Sequence, residues 1–372
     1  MVLTTPPFRA ETIGSLLRPA SLKNSFQQHR EGRIDAAAYE VALTDAIRGA
    51  VRTQEDAGLR AITDGEFGRS SWFGFFFERT GGFRLEPSAF QFRDADGGRY
   101  EWPTCYACER IQRRSAIAVH EHRRLAGLTR RTPKMTLPTP SAFHFFRFQA
   151  PADPAVYPDE DVYWNDLVDV YRAEIAALGE AGCRYLQLDE VPLAMLCDPS
   201  IRQQVKDLGG DPESLVAKYV GVLQRVLADR PNGMTLGLHL CRGNFRSRWM
   251  ASGGYEPVAE QLFNEVPVDA FFLEYDSERA GDFSPLRHVP ARKSVVLGLV
   301  STKRAELESP DGLRKRIDEA ARHVPMERLA LSPQCGFASV AGGNLLTEEE
   351  QAAKLRLVVE IAGKVWDSLG AE

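Results

Sequence analysis

Eight short β-rich runs that alternate with amphipathic helical patterns restrict this chain more than any other feature of it. The runs are Ala10 to Ser15, Leu59 to Thr63, Lys134 to Pro138, Tyr185 to Leu188, Thr235 to Leu240, Ala270 to Leu273, Ser294 to Val300 and Leu329 to Ser332. Helical periodicity fills Asp35 to Ala57, Asp159 to Ala181, Pro212 to Ala228, Pro257 to Asn264, Gly312 to His323 and Glu348 to Leu369. Two helices close on Ala57-Gly58 and Ala181-Gly182, where glycine supplies a left-handed cap before the next strand. Such a βα repeat builds a parallel sheet, and 372 residues would suit either two doubly wound domains or one closed barrel. No linker or break in composition divides the chain, so the expected fold is α/β, a single (β/α)8 TIM barrel over residues 1–372. Residues 69–131, between strands two and three, are rich in Phe, Trp, Gly and Arg and lack a period. They are expected to form an insertion, a subdomain or hairpin over one mouth of the barrel.

Composition then removes whole classes of function. Hydrophobic residues at 44% and charged residues at 26% describe a folded chain with a large core. A net charge of -5 gives no global attraction to nucleic acid or anionic membrane, and neither is an expected partner. The longest apolar runs, such as Val295 to Val300, fall far short of the roughly 18 residues a membrane span needs. The start, Met1 to Arg9, has neither an apolar stretch behind a charged region nor a small-residue cleavage site, so the expected location is cytoplasmic. The six cysteines are there expected to be thiols rather than a disulfide scaffold.

In a (β/α)8 barrel the chemistry sits at the C-terminal ends of the strands, and the residues there are unusual. They include Ser15, Glu66, Asp189, His239-Leu240-Cys241, Glu274, Ser301-Thr302-Lys303 and Cys335-Gly336. His239 and Cys241 stand two apart on a strand and leave the same face, where both can bind one metal. Cys335 and Glu274 close other strands within reach across the barrel top. Imidazole, two thiolates and a carboxylate make a tetrahedral set suited to zinc. Two thiolate ligands make zinc a poor generator of hydroxide and favour activation of a substrate thiol, which points to thiol alkylation rather than hydrolysis.

Other residues have plainer readings beside the functional ones. Glu66 and Asp189 can clamp an ammonium, or pair with an arginine such as Arg18 or Arg69. Cys105 and Cys108 have the spacing of half a zinc finger, but Cys183 and Cys197 lie too far along the chain to complete it. The basic run Arg110 to Arg131, with His120-Glu121-His122 inside it, reads as a solvated face; the alternative is a rim that attracts a polyanionic substrate tail. Phe75 to Phe77 and Phe143, Phe145 and Phe146 read as core, or as a platform for a flat ring.

Glu11-Thr12-Ile13-Gly14-Ser15-Leu16-Leu17-Arg18-Pro19, Asp64-Gly65-Glu66-Phe67, Leu188-Asp189-Glu190, His239-Leu240-Cys241 and Cys335-Gly336 together carry a resemblance. The chain resembles the cobalamin-independent methionine synthase family, in particular short proteins similar to its C-terminal catalytic barrel. That resemblance implies zinc on His239, Cys241, Glu274 and Cys335. It implies that Ser15, Glu66 and Asp189 hold the amino-acid part of homocysteine, and that a methylated tetrahydrofolate, or its polyglutamate, supplies the methyl group. Lys303 stands where the long enzymes carry an acid-base histidine and is expected to assist the leaving group. Alternatives are alkyl transfer to another thiol, as in epoxide:coenzyme M transfer, a metal-free decarboxylase resembling uroporphyrinogen decarboxylase, and a zinc-stabilised binding or storage barrel.

Overall fold

The computed structural model describes residues 6–93 and 99–367. Met1 to Thr5 of the chain start, positions 94–98 of the insertion and the end of the last helical pattern at Leu369 lie outside the described residues.

Six parallel strands form one ladder in chain order: Met135–Pro138, Tyr185–Glu190, Thr235–Leu240, Ala270–Glu274, Ser294–Val300 and Leu329–Pro333. Nearly every residue in them is buried, as expected for β-branched and aromatic runs covered on both faces. Two further segments extend the ladder at its ends. Ala10 bridges Leu331, with Glu11 N donating to Leu331 O at 2.9 Å, and Ala61–Ile62 pairs in parallel with Thr132–Pro133 just ahead of Met135. The seam between these two segments closes through Thr63 Oγ1 donating to Gly14 O at 2.6 Å and Leu16 N to Gly65 O at 3.0 Å. The ring of eight is thereby complete, and the fold is the (β/α)8 barrel. The first strand is the chief departure from expectation: only Ala10 of the run Ala10 to Ser15 has a ladder partner.

The outer helices begin where the sequence places their caps. Asp35 accepts from Ala38 N ahead of Ala36–Asp56, and Asp159 from Asp161 N ahead of Glu160–Glu180. Gly58 and Gly182 follow these helices at φ +95° and +92°, the left-handed conformation that turns the chain into the next strand. Inside the barrel, Phe8, Ile13, Ala61, Tyr185, Ala270, Phe272, Val296 and Ala330 pack as a cluster of their own. Lys134 and Glu11 are buried there too, paired at 3.3 Å, with Lys134 Nζ also donating to Thr12 O. No helix among the described residues is long and apolar enough to cross a membrane.

Between strands two and three the chain forms a helix, Gly74–Arg79, and then a long antiparallel pair, Thr80–Pro87 with Pro103–Arg113. A second helix, Val119–Ala126, returns it to Thr132. This helix corrects the reading of His120-Glu121-His122 as a solvated face for two of the three residues: His120 is exposed, but Glu121 and His122 are only 2% and 3% exposed. Glu121 is buried as the partner of two arginines, accepting from Arg69 Nε and Nη2 at 3.0 and 2.9 Å and from Arg79 Nη1 at 2.8 Å.

Candidate metal centre

Strand period and parallel register bring the chemistry to one floor. Asp189 is the register partner of His239 on neighbouring strands, and Cys241 follows His239 by two, its N–H donating to Glu190 O at 2.9 Å. Cys335 emerges from the last strand on the opposite side. The result is a buried cluster in which ligand atoms of His239, Cys241 and Cys335 lie within 4.8 Å of one another. The two sulfurs are 3.3 Å apart and unbonded. Both ring nitrogens of His239 are buried without a hydrogen-bond partner, an arrangement that costs free energy unless something else binds there. An orphaned imidazole beside two soft sulfur donors fits a zinc ion. The bond from Cys241, aided by neighbouring His239, outweighs burial and holds Cys335 well below the usual thiol range, while Cys241 is pushed up.

Glu274, the fourth expected ligand, lies alongside this cluster. Its carboxylate accepts from Arg279 Nη2 at 2.6 Å and from Arg242 N at 3.1 Å, and Lys303 Nζ is 3.7 Å away. Burial pushes Glu274 up, but Lys303, Arg279 and Arg242 outweigh it and keep the carboxylate ionised. Arg242, which nothing in the sequence singled out, is fully buried and donates to Glu274 O and Tyr255 Oη, both at 2.9 Å. Lys303 therefore faces Glu274 and does not line the cavity above the cluster.

That cavity has a volume of about 320 Å³, and Ser15, Glu66 and Asp189 line it together with His239, Cys241 and Cys335. Glu66 has a left-handed backbone, φ 59°, and its Oε1 accepts from Thr136 Oγ1 at 2.7 Å. Arg69 lies 3.5 Å from the same oxygen, whereas Arg18 donates to the Glu66 carbonyl instead. Asp189 has no ion-pair partner among the described residues. It accepts from Gln187 Nε2 at 2.6 Å, and burial, opposed by His239, pushes it up to about 7. Ser15 Oγ accepts from Ala338 N at 3.1 Å, and Gly336 sits so close that a Cβ there would meet that oxygen at 2.1 Å.

The aromatic residues divide between core and cavity. Phe75, Phe143 and Phe145 are core, whereas Phe77 and Phe146 reach the cavity with Trp72, Phe73 and Trp102. Asn244 also lines it and was not foreseen; its place three residues after Cys241, on the loop leaving strand five, was the available signal. Cys105 is buried and Cys108 contacts Gly82 O at 3.6 Å, and neither belongs to a metal-ligating group among the described residues.

Residues 8–364 match the family described as cobalamin-independent synthase, catalytic domain. The chain is 41% identical over 367 residues to the uncharacterized protein YxjH of Bacillus subtilis, which covers 97% of this chain and 95% of that protein. It is 23% identical to the methionine synthase of Pyrococcus furiosus, over 89% of this chain and 87% of that one. Among solved structures, a putative vitamin-B12-independent methionine synthase from Listeria monocytogenes superposes with a TM-score of 0.75 at 29% identity, covering 98% of this chain and 99% of that one.

Proposed function

The chain belongs to the family of cobalamin-independent synthase catalytic domains, and on that premise we propose that it methylates the thiol of homocysteine or a close analogue at a zinc site. The observation that supports this reading is the shared cavity. His239, Cys241 and Cys335 form its floor, and two carboxylates suited to an ammonium stand in the same space.

His239, Cys241 and Cys335 would hold the ion, with Glu274 supplying a carboxylate from the side, its charge balanced by Arg279, Arg242 and Lys303. Bound there, zinc lowers the pKa of an acceptor thiol from about 8.5 toward neutrality, so that the nucleophile is a thiolate. The protein's own residues orient the acceptor. Glu66, fixed by Thr136 and Arg69, and Asp189, fixed by Gln187, bracket the ammonium, which brings Asp189 down from about 7 into its ionised form. Ser15 accepts from Ala338 N and keeps its hydroxyl proton to donate to the acceptor's carboxylate. The aromatic wall shields the reacting sulfur from water and seats the methyl donor. The six cysteines are free, in keeping with a reducing, cytoplasmic setting.

The test is Cys335→Ala, measured for zinc by atomic absorption and for methionine formed from homocysteine. Loss of both is expected; full zinc with full activity refutes the assignment.

A further inference from the structure

The loop that leaves strand five is a small hairpin built against local preference. Met250 N donates to Arg242 O at 2.9 Å and closes its base, while Phe245 and Arg248 exchange N–H to carbonyl bonds at 3.0 Å near its tip. The two residues between them, Arg246 and Ser247, both have left-handed backbone, φ 50° and 68°. A two-residue hairpin turn of this kind favours glycine and asparagine, so an arginine and a serine carry a conformational cost there. Bonds to the loop after strand eight offset it. Ser247 N donates to Asn344 Oδ1 at 3.1 Å, Leu345 N to Ser247 Oγ at 3.2 Å, and Asn244 Nδ2 to Gly336 O at 2.8 Å. Asn344 is itself 6% exposed and anchored, its Nδ2 donating to Thr302 O at 2.8 Å and its backbone N–H to Phe337 O at 2.9 Å. One side chain thereby ties together the loops after strands five, seven and eight.

The hairpin carries part of the cavity wall. Asn244, Phe245 and Met250 line the cavity, and Asn244 is 4% exposed with its Oδ1 lacking a hydrogen-bond partner. A buried acceptor left open favours a guest that brings an N–H or O–H. Resting on the reading of the cavity as the site of a thiol amino acid, we propose that Asn344 is a positioning residue for the acceptor substrate. It latches the 243–250 hairpin inward, and the wall is complete only while the latch is made. The hairpin then has a latched and an unlatched state, with the φ cost of Arg246 and Ser247 favouring the second and the bond to Asn344 the first. Substrate binds the latched state, so its apparent affinity falls in proportion to the latched fraction. Saturating substrate restores that state, and turnover on the metal floor is then unaffected.

The experiment compares the wild type, Asn344→Ala, Arg246→Gly and the double variant, each zinc-loaded with its zinc content and Tm measured. Chymotrypsin cleavage after Phe245 and Trp249, mapped by mass spectrometry, reads hairpin opening, since both side chains are half-buried in the latched state. Calorimetry gives Kd for homocysteine, and methionine formation from methyltetrahydrofolate gives KM and kcat. Asn344→Ala is expected to speed cleavage severalfold and to raise Kd and KM severalfold, with kcat and zinc content unchanged. Arg246→Gly relieves the left-handed cost at an exposed residue, so it is expected to slow cleavage and, in the double variant, to recover most of the lost affinity. That rescue at unchanged Tm separates a latch from a general loss of stability. Cleavage and Kd at wild-type values in Asn344→Ala overturn the latch, as does a fall in kcat at unchanged KM, and either result leaves thiol methylation standing. A zinc-loaded wild type that neither binds homocysteine nor is protected by it from cleavage overturns the thiol reading and the latch with it.

Discussion

Glu121→Gln tests the electrostatic frame beneath the substrate carboxylates. Arg69 has a side chain only 1% exposed, and Glu121 is its principal counter-charge. Burial alone would push Glu121 up, but Arg69 and Arg79 outweigh it and hold it below the ordinary carboxylate range. The substitution weakens three charge-assisted bonds, two from Arg69 and one from Arg79, and turns an amide NH2 toward one of the guanidiniums. Such bonds contribute about 1.5–3 kcal/mol each. Arg69 keeps Thr136 Oγ1 at 2.7 Å and Thr136 O at 3.0 Å, so the net loss is set by a buried cation stripped of its nearest anion, about 3–5 kcal/mol. The nearest carboxylate left to Arg69 is then Glu66, at 3.5 Å. A tighter Arg69–Glu66 pair competes with the acceptor ammonium, and about 1.4 kcal/mol of that competition is a tenfold rise in KM. Urea unfolding followed by circular dichroism, with the m-value checked for constancy, reads the first effect, and KM for homocysteine reads the second. A stability loss under about 1 kcal/mol together with an unchanged KM would falsify the reasoning.

Three further perturbations probe other parts of the site. Gly336→Ala places a methyl group 2.1 Å from Ser15 Oγ, and the forced shift should cost about 1–3 kcal/mol and raise KM for the acceptor while zinc content stays full; unchanged kinetics would show that Ser15 does not position it. Asp64 is buried and pushed up to about 6, chiefly by burial and then by Glu121. Its folded pKa lies above the unfolded value near 3.9, so the stability it contributes is complete below pH 4 and is lost as pH rises through 6. Asp64→Asn should remove that slope and gain about 1–3 kcal/mol at pH 8; a variant equally or less stable there, by thermal melts at several pH values, counts against the sign. Stripping the metal should leave Cys241 and Cys335 free to oxidise across their 3.3 Å gap, with zinc uptake lost until reductant is added. Thiol titration that still finds every cysteine free after mild oxidation would contradict the arrangement.

What could be read from the sequence was whatever depends on short-range period. Asp35 and Asp159 marked helix starts because their side chains cap the first turn, and His239 and Cys241 share a face because strand period is two. Cys335 joined them because all barrel strands end on one side. What stayed hidden depends on tertiary charge and on register. The helix Ala20–Arg30 buries only Leu22, so it has no apolar stripe to detect. Glu274 reads as a strand-end carboxylate, but nothing local shows that the turn after it delivers Arg279 to its oxygen at 2.6 Å as a counter-charge. Lys303 follows a strand directly, yet Glu274 draws it away from the cavity. Glu121 sits in a run of arginines that looks solvated; only the fold shows that Arg69 arrives from a distant turn to bury it. Trp102 reaches the cavity through the pairing of Pro87 with Pro103, which no local pattern encodes.

The seam between the first two strand positions explains why two kinds of function can share this cavity. The six-strand ladder carries Asp189, His239 and Cys241 on continuous hydrogen-bonded backbone, with Cys335 just beyond its last strand, which suits a metal floor whose donors must keep their geometry. Ser15 and Glu66 stand on two segments joined by the Leu16 to Gly65 backbone bond and by side-chain bonds, from Thr63 to Gly14 O and from Arg18 to the carbonyls of Glu66 and Arg69, rather than by a ladder. Close contact replaces ladder pairing there: a Cβ on Gly14 would lie 2.5 Å from Glu66 Oε1, and one on Gly336 would press on Ser15. Backbone released from the ladder after Ala10 is what allows Ile13 and Ser15 to line the cavity. The aromatic insertion begins only a few residues after Glu66, so the aromatic wall of the cavity is continuous in sequence with the carboxylate proposed to face the acceptor. Substrate choice can therefore change through the seam and the insertion, in the part of the ring with the fewest backbone bonds, while the metal floor keeps its geometry.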